Sequence, residues 1–309
     1  MNNPQPPQAC YVMLHIGTGP SHSEQETAPL VVSDTNVRFE LRDDVWIERL
    51  DTELAKHIQT ACEPPNYRIT NVPYDRHLYA FVRPVPDTET TQYEGMSTLF
   101  AVAALSRLIN PTSIGGRYCA KVLAFPPEDS AIQSIQFRGV GPDVIIGQGR
   151  DWLSKKNAEE LVNLMPWLSP DKHMHGRVHR AYWNHEYVMH SYYLDARWVL
   201  AVSGLEALIS VGEKGLRRQF CSRVRQLAAE FQVDLSSEEL GRAYRLRSKL
   251  AHAEAFLSGL EAGFSRSEQV ELYVRLEKVL RSTIKRCLTD EDFGNRFRDD
   301  SAVQASWRG

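Results

Sequence analysis

Residues 244–252 read Tyr-Arg-Leu-Arg-Ser-Lys-Leu-Ala-His. On a regular helix over 237–255, turning about 100° per residue, Ala243, Leu246, Leu250 and Ala253 form one apolar stripe that must face other helices. Tyr244, Arg247, Ser248 and His252 fall on the opposite side. Ser248 and His252 are four apart and nearly eclipsed, so the hydroxyl can orient the imidazole. Arg247 and His252 are five apart, about 140° around the axis, and do not converge on one straight helix. A local bend would bring them together, and so would a two-fold axis pairing two such faces across a shared cleft.

The flanking sequence is helical. Leu194, Trp198, Ala201, Leu205 and Leu208 place one apolar stripe on a helix over 192–210, with Gly212 as its C-terminal cap. Helices are predicted over 151–164, 176–190, 214–231 and 265–288. Ser236-Ser237-Glu238-Glu239 reads as an N-cap with acids in the first turn. Short connections make an antiparallel bundle the default. The first 150 residues read differently, as mixed α/β with a strand majority. Strands are predicted at 11–16, 29–32, 37–41, 78–85, 118–125 and 134–138, and helices at 44–62 and 96–109. Trp46, Leu50, Leu54 and Ile58 supply the helical spacing over 44–62. Gly and Pro crowd 139–149, which sets the boundary near 150. The expected class is thus α+β: a strand-rich domain over 1–150, then an all-α bundle over 151–309. No phosphate-binding glycine loop, nucleophile elbow or His-Glu-x-x-His pattern occurs in the first domain, whose sensing or partner-binding role is a guess from architecture.

At 309 residues, with 42% hydrophobic and 24% charged residues, the chain has the composition of a soluble two-domain protein. No apolar run approaches a membrane span, and the opening Met-Asn-Asn-Pro-Gln-Pro-Pro-Gln does not resemble a signal peptide. Five scattered cysteines without a C-x-x-C pair point to reduced thiols, and with the rest to a cytoplasmic protein without structural zinc. The net charge is −3, but it is unevenly spread. Residues 1–150 hold 12 Lys and Arg against 17 Asp and Glu, and the remainder 24 against 22. Lys214, Arg217, Arg218, Arg223 and Arg225 crowd one segment; Arg242, Arg245, Arg247 and Lys249 crowd another. Such patches attract phosphate even on a neutral protein, and equally occur as solvated helix faces paired with Glu.

An arginine beside a histidine suffices chemically for metal-free RNA cleavage, the imidazole taking a proton and the guanidinium holding phosphate. Two segments carry a family resemblance. Residues 197–208, with Leu205-Glu206-Ala207-Leu208 at their core, and Tyr244-x-x-Arg247-Ser248-x-x-x-His252 resemble the HEPN superfamily, most closely its ApeA-like domains from bacterial anti-phage systems. The likeness covers roughly 175–290 and says nothing of the first 150 residues. It implies a homodimer with a composite site, using neither cofactor nor metal. His252 would activate a ribose 2′-hydroxyl and Arg247 would stabilise the phosphate, leaving a 2′,3′-cyclic phosphate. Ser248, Tyr244 and Glu206 would support them. Arg245, Lys249, Arg217, Arg218 and Arg223 would hold the RNA, tRNA included. Ser248 departs from the Asn or Asp that many such nucleases carry after the arginine. The family also holds inactive members, so a non-catalytic module binding RNA, a nucleotide or a protein is the alternative, and a structural dimerisation protein a third.

Glu206 is the only charge between Trp198 and Val211, and at the core edge it needs a partner; Arg247 and Arg223 both qualify. His173, His175, His179, His185 and His190 invite a metal, but no recognisable donor spacing completes a site. The aromatics among them, Tyr182, Trp183, Tyr187, Tyr192 and Tyr193, suggest a packed helix or a base-stacking surface, with packing preferred.

Overall fold

The computed structural model describes residues 8–15, 38–62, 78–85, 92–111, 118–125, 132–134, 155–251 and 265–307. The class is α+β, with an antiparallel six-stranded sheet early in the chain and helices after it. Two compact units result, Met1–Val144 with Gly149–Ser169 and Ile145–Gln148 with Pro170–Gly309.

In the first unit, strands β1 (Gln8–His15), β2 (Phe39–Arg42), β3 (Val45–Leu50), β4 (Leu78–Pro84), β5 (Cys119–Phe125) and β6 (Ile132–Ser134) lie in the order β2-β3-β4-β1-β5-β6. Central β1 pairs with both β4 and β5, setting Val12 opposite Val82 on one side and Ala120 on the other. Because side chains alternate along a strand, Cys10, Val12 and Leu14 share one face with Ala80, Val82, Ala120 and Val122. Helix α1 (Thr52–Cys62) lays Leu54, Ala55 and Ile58 on that face. Helix α2 (Gln92–Ile109) packs on β1 and β4 with its own buried row, Met96, Leu99, Val102 and Leu105.

The helix predicted over 44–62 is a strand followed by a helix. Trp46 and Leu50 lie on β3, and only Leu54 and Ile58 lie on α1. A spacing of four satisfies a strand's period of two as well as a helix's 3.6, so this row of residues cannot tell them apart. Asp51 makes the break: its carboxylate accepts from the Glu53 backbone N–H at 2.8 Å, as a helix N-cap does. The strand predicted at 29–32 lies outside the described residues, as do 135–138 of the last predicted strand. Beyond residue 150, α3 (Lys155–Val162) packs against α2 and β2, and a 3-10 turn (Met165–Leu168) packs against α2. Both therefore belong with the sheet, and the second unit's helices begin only after Pro170.

Among the described residues the second unit holds α4 (Gly176–His190), α5 (Leu194–Ile209), α6 (Leu216–Glu230), α7 (Ser237–Ala251), α8 (Arg266–Thr289), α9 (Glu291–Asn295) and α10 (Asp300–Ser306). Helix α5 is central, packing on α4, α6, α7 and α8 and burying Trp198, Ala201, Leu205 and Leu208 completely. The predicted caps hold at α7, where Ser236 Oγ accepts from the Glu239 N–H at 3.1 Å and Glu239 Oε2 accepts from the Ser236 N–H at 2.8 Å. Ser265 and Glu268 repeat that box at α8. Gly212 is left-handed, at φ 65°, but stands beyond the end of α5, whose C-cap is the extended Ser210. Gln219 reaches back to bind Val211 through both its N–H, at 3.0 Å, and its carbonyl, at 2.9 Å.

Gly294 closes α9 against α8. A Cβ there would lie 2.7 Å from the Cys287 carbonyl oxygen, a backbone atom that cannot step aside. We expect Gly294→Ala to destabilise the second unit by about 1–3 kcal/mol, measured as a lowered denaturant midpoint; an unchanged midpoint would refute the close approach.

Candidate functional site

Helices α5, α6 and α7 converge on one polar cluster. Glu206, on the last turn of α5, meets Arg247 of α7, with Oε2 and Nη2 2.9 Å apart. The carboxylate side chain is 13% exposed and the guanidinium side chain 29%, so the pair stands at the edge of the core with one side open. Of the two candidate partners for Glu206, Arg247 is thus the one engaged. Arg247 Nε is buried without a hydrogen-bond partner among the described residues.

Tyr244 lies three residues before Arg247, on the same helix face. Its hydroxyl also hydrogen-bonds Glu206; burial, and then the nearby Glu206 charge, push that hydroxyl above the usual tyrosine range. The ring is anchored on Phe220 of α6, with centroids 5.3 Å apart. Glu206 thereby holds a phenol and a guanidinium side by side, a donor pair suited to an anionic or hydroxyl-bearing ligand. Ser248 is half-buried beside them. His252 directly follows the described end of α7 and lies outside the described residues.

The five basic positions differ in setting. Arg245, Arg217 and Arg218 are exposed, and Lys249 is half-buried. Arg217 lies across α7 where Gly241 leaves room, its Nη2 3.2 Å from where a Cβ would stand. Arg223 points inward: it donates to the Ile209 carbonyl and to Gln219 Oε1, and its guanidinium sits 5.5 Å from the Trp307 ring. Its visible contacts secure the end of α5 and the C-terminal helix.

The five histidines do not share a site. His185 is completely buried and bonds Glu277 Oε1 at 3.0 Å. His190 approaches Glu186 at 3.6 Å, and His179 Nε2 accepts from Trp183 Nε1 at 2.8 Å. His173 and His175 are exposed. Among the described residues no group of three or more His, Cys, Asp or Glu is placed to hold a metal.

One feature reverses the sequence reading, and another has no counterpart in it. Trp183, Tyr187, Tyr192 and Tyr193 are exposed, by 47%, 58%, 73% and 72%, so they do not pack a helix interface among the described residues. Their aromatic character pointed to burial, but Ala181, His185, Val188 and Met189 fill the inward face of α4. The other feature is a buried ionic group. Glu277 of α8 binds His185 of α4 and also accepts from Arg281 Nε at 2.9 Å. The four-residue spacing of Glu277 and Arg281 was a usable signal. The pairing with His185, 92 residues away, left none.

No family model matches the chain, and no curated protein or solved structure matches it significantly.

Proposed function

We propose that the second unit is a metal-independent endoribonuclease of the HEPN type, acting in phage defence or a toxin-like system. The observation that carries this reading is the Glu206–Arg247 pair with Tyr244 beside it. The arginine of the Arg-Ser-x-x-x-His segment is held by a carboxylate from the neighbouring helix, with part of its guanidinium open to a ligand. His252 takes the proton from a ribose 2′-hydroxyl, and the 2′-oxygen attacks the adjacent phosphorus. The 5′-oxygen leaves and takes up a proton, giving a 2′,3′-cyclic phosphate and a 5′-hydroxyl. Arg247 offsets the charge that builds on the phosphate oxygens. DNA lacks the nucleophile and is spared. A second copy of the chain across a two-fold axis supplies the other half of the cleft.

A specific observation favours a second reading, a non-catalytic module that binds RNA or another anionic partner. Glu206 neutralises Arg247, so an incoming phosphate must compete with a carboxylate already in place. One experiment separates the two. Wild type and His252→Ala are incubated in EDTA with total tRNA and a labelled single-stranded RNA. Cleavage by wild type alone, leaving cyclic phosphate ends, supports the nuclease; binding without cleavage by either protein supports the module. Glu206→Gln frees Arg247 and is expected to lower turnover by about 10²-fold through misplacement of the guanidinium, with the folded state retained. Unchanged turnover would remove Glu206 from the site.

A further inference from the structure

We propose that the exposed aromatic face of α4 is a stacking platform for single-stranded RNA, an inference that rests on the RNA-directed function above. His179, Trp183 and Tyr187 are each four residues apart and stand in one row on α4. Trp183 lies 6.1 Å from His179 and 6.1 Å from Tyr187, centroid to centroid. The Trp183 Nε1–H donates to His179 Nε2 at 2.8 Å, which sets the indole's orientation. Tyr192 and Tyr193, 5.3 Å apart and nearly perpendicular, extend the aromatic surface at the corner between α4 and α5. A run of exposed rings this dense marks a binding surface rather than scattered surface residues.

The charges around the rings select the occupant. Glu186 is the only acid on α4; it is buried and lies 3.6 Å from His190. Arg180, three residues before Trp183, is exposed. It borders an open hollow lined also by Arg177, Arg298, Asp299 and Asp300. Both aspartates are committed there, Asp300 to Arg177 and Asp299 to Arg298. Arg180 therefore has no ion-pair partner among the described residues. A second copy packed α4 against α4 would present from that helix only the buried Glu186, and no exposed carboxylate, to meet Arg180. A single strand of RNA supplies both parts at once, bases for the rings and phosphates for the arginine. Stacking tolerates any base, so the platform adds grip without sequence choice.

The test uses the full chain carrying His252→Ala, so that RNA is not consumed, and a fluorescein-labelled oligo(U) of about 12 nucleotides. Fluorescence anisotropy compares that parent with the same chain bearing Trp183→Ala and Tyr187→Ala. Binding is expected to weaken about tenfold or more, with unchanged circular dichroism and unfolding midpoint, and the Trp183→Phe/Tyr187→Phe pair should recover most of it. Equal affinity of the alanine variant overturns the platform, as does a parent that binds no RNA. A dimer that becomes a monomer on alanine substitution, with RNA affinity unchanged, assigns the face to a second copy and also overturns it. The platform and the nuclease reading fail separately. Cleavage by an otherwise wild-type alanine pair with unchanged KM sinks the platform alone, whereas ring-dependent binding by a wild type that never cleaves sinks the nuclease alone.

Discussion

Arg247→Ala is expected to reduce RNA cleavage by about 10²–10³-fold in kcat, the loss that follows removal of one preorganised donor from a developing oxyanion. The substitution also strands Glu206, a side chain only 13% exposed that then keeps Tyr244 as its neighbour but loses its counter-charge. Lost activity alone would therefore confuse catalysis with folding. The double variant Arg247→Ala/Glu206→Ala removes both charges, and its stability should return towards that of wild type, because no buried ion is left uncompensated. Its activity should not return. Recovery of cleavage together with stability would mean that Arg247 serves only the fold. Arg247→Lys sharpens the test: it keeps the charge but not the planar fork, and a site built on guanidinium geometry should lose most of its rate.

Glu277→Ala is expected to cost the second unit about 3–5 kcal/mol, the effect of breaking a buried ion pair from one side. Glu277 is 1% exposed, and His185 and Arg281 both converge on its Oε1. Removing it takes the Oε1 acceptor away from the half-buried Arg281 guanidinium and from His185 Nε2, and His185 Nδ1 has no partner among the described residues. The denaturant midpoint reads the loss, and a shift below about 1 kcal/mol would show that the group is not energetically coupled. The pH dependence follows from the same geometry. Burial alone would raise the Glu277 carboxyl, but the Arg281 charge and the bond to His185 outweigh it and hold it below the usual range. A carboxyl depressed in the folded state contributes fully above its unfolded value, near 4.3, and that contribution is lost as pH falls through the folded value. Wild type should therefore lose stability on acidification below about pH 4.3 more steeply than Glu277→Gln, which has no carboxyl to protonate.

The amino-acid order marks neither the exposure of the α4 rings nor the burial of Glu277 on α8, and for one reason. Composition ranks tryptophan and tyrosine as interior residues and glutamate as surface, yet burial is assigned by which helix face meets a neighbour. Among the described residues Glu277 faces a neighbouring helix and Trp183 faces outward, and that depends on how α4, α5 and α8 cross. Residues 44–62 misled for a different reason, since the four-residue spacing of Trp46 and Leu50 suits either periodicity until β4 pairs with β3 and places Trp46 opposite Val82.

Local chemistry is what the amino-acid order carried without help: the helix periods beyond residue 175, the cap at Ser236, the stripe on α5, and the Arg247-Ser248 segment on α7. These depend on neighbours within a few residues, and such interactions form in any helix that contains them. Packing chose among the rest. It selected Arg247 over Arg223 as the partner of Glu206, turned Arg223 towards Ile209 and Trp307, joined His185 to Glu277, and set α3 on the sheet. Each of those choices turns on a distance between residues far apart in the chain, and only the crossing of elements in three dimensions supplies it.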